Sequence, residues 1–396
     1  MRSAIRDLGL EIIEATRRFP AIVLTGPRRS GKKTLLRDLF PQATHVLLED
    51  PDIQARARSD PRGLLDELRP PVVFDEIQNV PELFGYVRTI IDKSPRKMGQ
   101  WMFTGSQDAP LMQGVTESMA GRAAVLQLLP FSLGESNRVN ILHGGYPEVL
   151  ANPKGRALWF GSYIQTYLER DVRAIVNIRD LGTFRRFLAM LASRHGQILN
   201  KTDLAAPLGV SVPTITAWLH VLEVTGQIIL APPYFNNFGK RLVKPPKLYI
   251  GDSGLACHLL GITTQAELDR SPFLGAIFEG FVAGEILKSQ INQARRKELY
   301  HFRDQQGLEV DFLFPTAGGT LWMVECKASK TPHPSMATSL ASLRRAMPKA
   351  LAVRMSVIHR HSPSAPKTRA LAPGIEALDV EALVKDLKSP PRHRRA

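Results

Sequence analysis

The sequence predicts an α/β protein in three parts: an N-terminal parallel sheet flanked by helices, a small helical middle part with its own hairpin, and a C-terminal α/β part. Three observations carry this prediction. Apolar runs alternate with helical stretches in the N-terminal part, as a parallel sheet covered on both faces requires. Ala21-Ile22-Val23-Leu24 leads straight into Gly26-Pro27-Arg28-Arg29-Ser30-Gly31-Lys32-Lys33-Thr34, with the spacing of a P-loop. Val72-Val73-Phe74 ends in Asp75-Glu76, two acids at the tip of a buried strand.

Residues 1–20 read as a short helix with Leu8, Ile12, Ile13 and Phe19 on one side. In the P-loop that follows the first strand, glycines let successive N–H groups turn toward a phosphate. The next helix adds unpaired donors and the positive end of its dipole, and Lys32 reaches the outer phosphates as a point charge. One position breaks the pattern: where a Ser or Thr hydroxyl should hold Mg²⁺, the chain has Lys33. Thr34 lies one helical step, about 100°, from the required direction and does not simply replace it.

His45-Val46-Leu47-Leu48 reads as the second strand, ending in Glu49-Asp50, and Pro61 to Arg69 as a helix. After the acid-tipped strand, a helix runs from Pro81 to about Lys93, and Trp101 to Ser106 gives a further strand. Strand ends and P-loop share one edge of a parallel sheet, where ligands bind. Asp75 is expected to meet the Mg²⁺ shell, and Glu76 to orient and deprotonate an attacking water. Thr104 and Gln107 either sense the terminal phosphate or form a polar turn. A helix ending near Gly121-Arg122 precedes another strand. Arg122 there either pairs with phosphate in cis or reaches a neighbouring subunit's nucleotide.

Residues 140–175 read as a helical lid, and 176–250 as a winged helix-turn-helix. Thr202 to Ser211 is a short capped helix with a Gly turn, and Val212 to Leu222 a second helix with Ile215, Leu219 and Leu222 inward. Gln227 to Leu230 is the first wing strand. The second helix offers Thr214, Thr216 and His220 but no Arg or Lys, unlike most DNA-reading helices. Basic residues gather instead at Lys240-Arg241-Leu242-Val243-Lys244-Pro245-Pro246-Lys247, beside Phe235 and Phe238. That run touches nucleic-acid phosphates or is a solvated hairpin, and the helix is free for a protein partner.

The combination of motifs resembles bacterial and archaeal AAA-type ATPases that carry a C-terminal domain of unknown function with a nuclease-like core. It rests on Leu24 to Arg29, Phe74-Asp75-Glu76-Ile77-Gln78, Phe103-Thr104-Gly105-Ser106-Gln107 and Ala120-Gly121-Arg122. It continues through Leu129-Pro130-Phe131-Ser132-Leu133, Gly144-Gly145-Tyr146-Pro147, Tyr163 to Asp171 and Lys247-Leu248-Tyr249, covering nearly the whole chain. The resemblance implies ATP as ligand, Pro147 near the base and Arg122 against phosphate. Its usual residue at position 33 is Thr, so with Lys33 the expectation is ATP binding with weak or absent Mg²⁺-dependent hydrolysis.

In the C-terminal part, Gly275 to Lys288 reads as a helix apolar on one face. Glu298 to Arg303, Glu309 to Phe314 and Leu321 to Lys327 read as strands, and alternation puts Glu325 and Lys327 on one face. This order resembles the core of the restriction-endonuclease-like nucleases, in which an Asp and a Glu hold Mg²⁺ and a Lys helps activate water. By that resemblance Asp311, Glu325 and Lys327 fill these roles and Glu279 is the helix acid. Glu285, on another face of the helix, is a weaker substitute. The same residues are also read as surface pairs worth little to stability, and the fold also serves as a non-cutting scaffold.

Lys and Arg outnumber Asp and Glu by 52 to 37, giving +15. Such a balance favours a polyanionic partner, more often nucleic acid than an anionic membrane surface, and composition alone does not choose between them; the nucleic acid expected here is DNA rather than RNA. Two distant cysteines, Cys257 and Cys326, exclude a disulfide framework or Cys-based zinc site and read as buried small apolar residues. The ten histidines form no His-x-x-x-His pair. No apolar run approaches the ~18 residues of a membrane span, and the N-terminus lacks a signal-peptide core, so the expected location is cytoplasmic. The expected boundaries are 1–139 for the ATPase core, 140–175 lid, 176–250 winged helix, 251–387 nuclease-like domain and 388–396 basic tail. A homo-oligomer is compatible with this organisation.

Overall fold

Five short strands, β1 (Ala21–Thr25), β2 (Thr44–Leu47), β3 (Val72–Asp75), β4 (Trp101–Thr104) and β5 (Ala123–Gln127), form a wholly parallel sheet in the order β2-β3-β4-β1-β5. The computed structural model describes residues 6–105, 117–168, 181–234, 245–361 and 369–388. Helices α1 (Leu8–Arg18) and α2 (Lys32–Leu39) cover one face of the sheet, packing Leu8, Ile12, Leu35 and Leu36 on Ile22, Leu24, Val73 and Met102. Helices α3 (Pro51–Ser59), α4 (Pro61–Glu67) and α5 (Leu83–Lys93) cover the other, over Val23, Phe74, Trp101 and Phe103. Successive strand residues point to opposite faces, so both need apolar side chains. The sequence reading does not give α3. Asp50 starts it by accepting from the Asp52 amide at 2.9 Å, and Pro51 supplies a pre-set first turn.

The middle part opens with α6 (Pro147–Ala151) and α7 (Arg156–Tyr163), within the expected lid. It continues with α8 (Leu181–Ser193), α9 (Lys201–Leu208) and α10 (Val212–Val224). Helices α9 and α10 meet at a bend of 112°, and Pro207 is accommodated in the last turn of α9. Three short antiparallel strands, β6 (Gln197–Ile198), β7 (Ile228–Ala231) and β8 (Lys247–Ile250), lie in the order β6-β8-β7. Leu248 and Ile250 of β8 belong to the core shared by these helices, whereas Tyr249 points into the core of the C-terminal part.

There, α11 (Ser253–Leu259) and α12 (Leu274–Asn292) precede a six-stranded sheet. Its strands are β9 (Tyr300–Arg303), β10 (Glu309–Pro315), β11 (Leu321–Lys327), β12 (Val353–His359), β13 (Ala370–Ala372) and β14 (Ile375–Asp379), ordered β13-β14-β12-β11-β10-β9. β10 pairs antiparallel with β9 and β11, whereas β11, β12 and β14 are mutually parallel neighbours. Helices α13 (Thr338–Ala346) and α14 (Val380–Lys388) flank this sheet. The expected one-sided α12 is in fact buried on most of its surface from Ile277 onward, because it lies between the sheet and the two preceding parts. Cys257 is buried as expected, but Cys326 is only half-buried at the end of β11. Lys388, expected at the head of the basic tail, is instead the last residue of α14, with its ammonium 2.6 Å from Asp7; residues 389–396 lie outside the described residues. Among the described residues, no single helix is long and apolar enough to cross a membrane.

Phe103 is fully buried at the centre of the parallel sheet, with ring centroids 4.7 Å from Phe84 and 5.6 Å from Phe74. Phe103→Ala is expected to destabilise the protein by about 3–5 kcal/mol, read as a lower urea midpoint at unchanged slope.

Candidate functional site

β1 runs into the loop 26–31 and out through α2, so the first-turn amides of α2 face the loop. Gly26 has φ +138°, and a Cβ there would lie 2.2 Å from the Leu128 carbonyl oxygen, so only glycine fits. Gly31, at φ +96°, is the N-cap of α2. The buried Lys32 ammonium donates to the loop's own carbonyls, Gly26 at 2.9 Å and Pro27 at 3.0 Å. The Ser30 hydroxyl is buried with no partner among the described residues. Thr34 is exposed, in keeping with its turn away from the loop. Arg28 lies 4.0 Å from both Glu49 and Glu76. Arg29, held at φ +64°, lies 3.5 Å from Glu148, the residue after Pro147. Pro147 therefore stands at the head of a helix tied to the P-loop. An orphaned buried hydroxyl, a lysine turned on the loop and a helix N-terminus fit a nucleotide's phosphates.

The metal position does not fit Mg²⁺. Lys33 Nζ lies 3.0 Å from Asp75 Oδ2, and Thr104 Oγ1 donates to Asp75 Oδ1. Both oxygens of the acid expected to meet the ion are thus engaged, and the hydroxyl ligand is replaced by a positive charge. The Lys33 side chain is 38 % exposed, so the pair contributes at most ~1 kcal/mol; its importance is positional. Glu76 sits in the left-handed region at φ +58°, with its carboxylate accepting from Gln78 and its amide donating to Thr104 at 3.2 Å. Thr104 therefore joins Asp75 to Glu76, and Gln107 lies outside the described residues. His45 lines up beside this group unnoticed by motif reading, because a lone histidine on a strand carries no spacing signal. Burial pushes its imidazole down, helped by Arg37 and Lys33.

Arg122 is corrected in one respect. It precedes β5, whose Ala123 pairs with Ala21, so it stands at the edge opposite the P-loop, a strand length of about 16 Å away. There it pairs with Asp92 at 2.6 Å. In this arrangement it does not reach the P-loop of its own chain.

Behind the P-loop lies a buried pair that no motif announces. Arg6 donates to Glu135 at 2.9 Å, to the Ser30 carbonyl at 3.0 Å and to the Leu129 carbonyl at 2.6 Å, with its guanidinium 4.3 Å over Phe131. Glu135 also accepts from the amides of Asp7 and Ser132. Burial pushes the Glu135 carboxyl up, but Arg6 and these amides outweigh it and hold it below the ordinary range.

The C-terminal acids do gather, around a lysine. Lys247 Nζ, on β8 of the middle part, lies 2.9 Å from Glu279 and 3.4 Å from Asp311, and also pairs with Glu309. Tyr249 donates to Glu279, the Cys326 amide to Asp311 at 2.8 Å, and Lys327 to Glu325 at 2.7 Å. The expected metal set of Glu279, Asp311 and Glu325 is thereby corrected. Among the described residues no three His, Cys, Asp or Glu side chains form a group that could hold a metal ion, and an ammonium stands among the carboxylates expected to do so. Burial pushes the Glu279 and Glu325 carboxyls up, as does the Asp311 charge, against the pull of the lysines. Burial alone would lower the Lys247 ammonium, but Glu279, Asp311 and Glu309 hold it above its ordinary value. Lys247, expected in an exposed basic run, is thus not available to nucleic acid; Phe235, Phe238, Lys240, Arg241 and Lys244 lie outside the described residues. Glu285 is no metal substitute either, since it accepts from the Leu133 amide at 2.8 Å and from Lys288 at 3.0 Å.

Residues 18–137 match the family model of an AAA domain. Residues 135–266 match a domain of unknown function (DUF8612), and residues 274–369 another (DUF4143). The chain is 32 % identical over 361 residues to the uncharacterized proteins Rv2008c of Mycobacterium tuberculosis and Mb2031c of Mycobacterium bovis, a match covering 89 % of this chain and 79 % of each relative. Among solved structures it is similar to the Walker-type ATPase paby2304 of Pyrococcus abyssi, at 17 % identity and a TM-score of 0.39 over 64 % of this chain and 94 % of that one. RuvB of Thermotoga maritima gives 17 % identity and a TM-score of 0.29 over 57 % and 87 %.

Arg6 and Glu135 side chains are 6 % and 0 % exposed, so removing one partner leaves a buried charge uncompensated. Arg6→Ala is expected to cost about 3–5 kcal/mol near neutrality. Because the folded Glu135 value is depressed, its contribution is fully present above the ordinary 4.5 and is lost as pH falls through the folded value. Chemical denaturation across acid pH is expected to show this slope in the natural protein and not in Arg6→Ala.

Proposed function

The chain belongs to the family of these mycobacterial proteins, with an AAA domain followed by two domains of unknown function, and on that premise we propose that it is an ATP-binding switch whose nucleotide state controls its other two parts. The observation that carries this reading is that the P-loop touches the rest of the protein directly. A Cβ on Gly226, in the turn between α10 and β7, would lie 3.2 Å from Pro27, and Arg29 pairs with Glu148 of α6. A loop that shifts to bind phosphate must shift against both contacts.

In this reading the amides of 26–31 and Lys32 bind the phosphates, with Lys32 exchanging the carbonyls of Gly26 and Pro27 for phosphate oxygens. Arg28 and Arg29 flank the loop, and Pro147 lies by the base. Glu76 remains the candidate base, and turnover is weak because Lys33 and Asp75 neutralise each other where the ion should act. Arg122 serves a neighbouring copy in a homo-oligomer. In their described residues, 140–175 act as a lid and 176–250 as a winged helix, the latter supported by the bend between α9 and α10 and the three-stranded sheet. The region 251–387 is nuclease-like and meets nucleic acid, DNA rather than RNA. A second reading, a nucleotide-switched regulatory scaffold that does not cut, is favoured by Lys247 among the acids.

ATP binding by calorimetry and phosphate release with and without DNA test the proposal. The natural protein is expected to bind ATP with or without Mg²⁺, and Lys32→Ala to lose roughly tenfold or more in affinity. Hydrolysis is expected to be low and to rise in Lys33→Thr with Mg²⁺. Equal hydrolysis by the two would remove Lys33 as the limiting residue. Arg122→Ala is expected to leave ATP affinity unchanged while lowering the turnover of Lys33→Thr.

A further inference from the structure

We propose that Lys247 is the resident cation of the C-terminal acidic cluster, and that it closes the cluster to divalent metal for as long as β8 stays docked. This deepens the reading of the C-terminal part but does not rest on ATP binding or on any cutting of nucleic acid.

The alternation of β8 makes the contact. Leu248 and Ile250 pack into the middle part's core, so the alternate side chains, Lys247 and Tyr249, face the other way and enter the C-terminal part. Both reach Glu279, Lys247 at 2.9 Å. The Lys247 side chain is 4 % exposed, and its ammonium takes Glu279, Glu309 and Asp311 together. A divalent ion drawn to these carboxylates would have to sit beside a desolvated positive charge, and repulsion at such range is strong when water is excluded. The second cation of the cluster, Lys327, is taken up by Glu325.

Lys247 is also carried on a backbone that is held on both sides. β8 is the central strand of its sheet, paired from Ile250 to Lys247 with β7 and at Leu248 and Lys247 with β6. The Ile250 amide donates to His195 at 3.0 Å. With its side chain enclosed and three acids around its ammonium, Lys247 reaches water only when β8 parts from the C-terminal part, which opens the seam between the two parts. The acidic cluster is thereby a lock whose key belongs to the middle part, and a metal-dependent activity is silent in this arrangement.

Mn²⁺ binding to the full chain without nucleotide, followed by water-proton relaxation, tests this. The natural protein is expected to show no Mn²⁺ at this cluster into the millimolar range. Lys247→Ala is expected to gain one site, at least roughly tenfold tighter than any on the natural protein, and to lose it again when Asp311→Asn is added. Lys247→Gln, which keeps a hydrogen-bond donor, serves if the alanine variant folds poorly. Mn²⁺ bound by the natural protein and released by Asp311→Asn would overturn the proposal. So would a folded Lys247→Ala or Lys247→Gln that takes up no Mn²⁺.

Discussion

A carboxylate taken out of water must be given a positive charge or surrender its own, and this constraint sets how the three parts are joined. Glu135 is matched by Arg6, Glu285 by Lys288, and the Glu279–Asp311 group by Lys247. Each match lies at a seam. Arg6 and Glu135 clamp the start of the chain to the segment behind the P-loop. Glu285 and Lys288, both on α12, bind the Leu133 amide and the Phe131 carbonyl of that segment. Lys247 fastens the middle part to the C-terminal sheet. These pairs need not add much to net stability, since desolvation offsets attraction. Breaking one leaves a buried charge, which makes the joints specific.

The P-loop sits inside this frame. Its carbonyl at Ser30 is held from behind by Arg6, its Pro27 abuts the Gly226 turn, and its Arg29 reaches α6. A cavity of about 320 Å³ opens at the same junction, lined among others by Leu129, Tyr146, Gly226, Asp252 and Leu287. Space at a seam allows small rearrangements that a fully packed core would resist. A tightly held loop and an open cavity are neighbours at this junction.

The strand-and-helix order of the N-terminal part was legible because both signals are local. Buried parallel strands are continuous apolar runs, and Gly26 and Gly31 are dictated by backbone angles no other residue accepts easily. Asp75 and Thr104 were legible as strand tips. What was not legible depends on pairing across the chain. Arg6 and Glu135 are 129 positions apart, and nothing near either points to the other. Lys247 closed a run of basic residues and looked solvated; only the sheet's alternation, unknown until its partners are placed, turns it inward. Arg122 carried the right chemistry, but the edge on which it lies follows from the register of β5 against β1. Helix α3 carries little sequence signal, because its start rests on one cap and one proline rather than on an apolar stripe.

Lys33 and Lys247 put an ammonium beside carboxylates of the kind that bind divalent ions in other proteins. An ion held by coordination exchanges with the surroundings, so its occupancy follows the medium. An ammonium on a covalent stem has no such freedom: its local concentration is fixed by the backbone that carries it. For Lys247 that backbone is β8. The charge balance of the C-terminal cluster is therefore answerable to the position of a strand, a mechanical quantity, and not to the supply of metal.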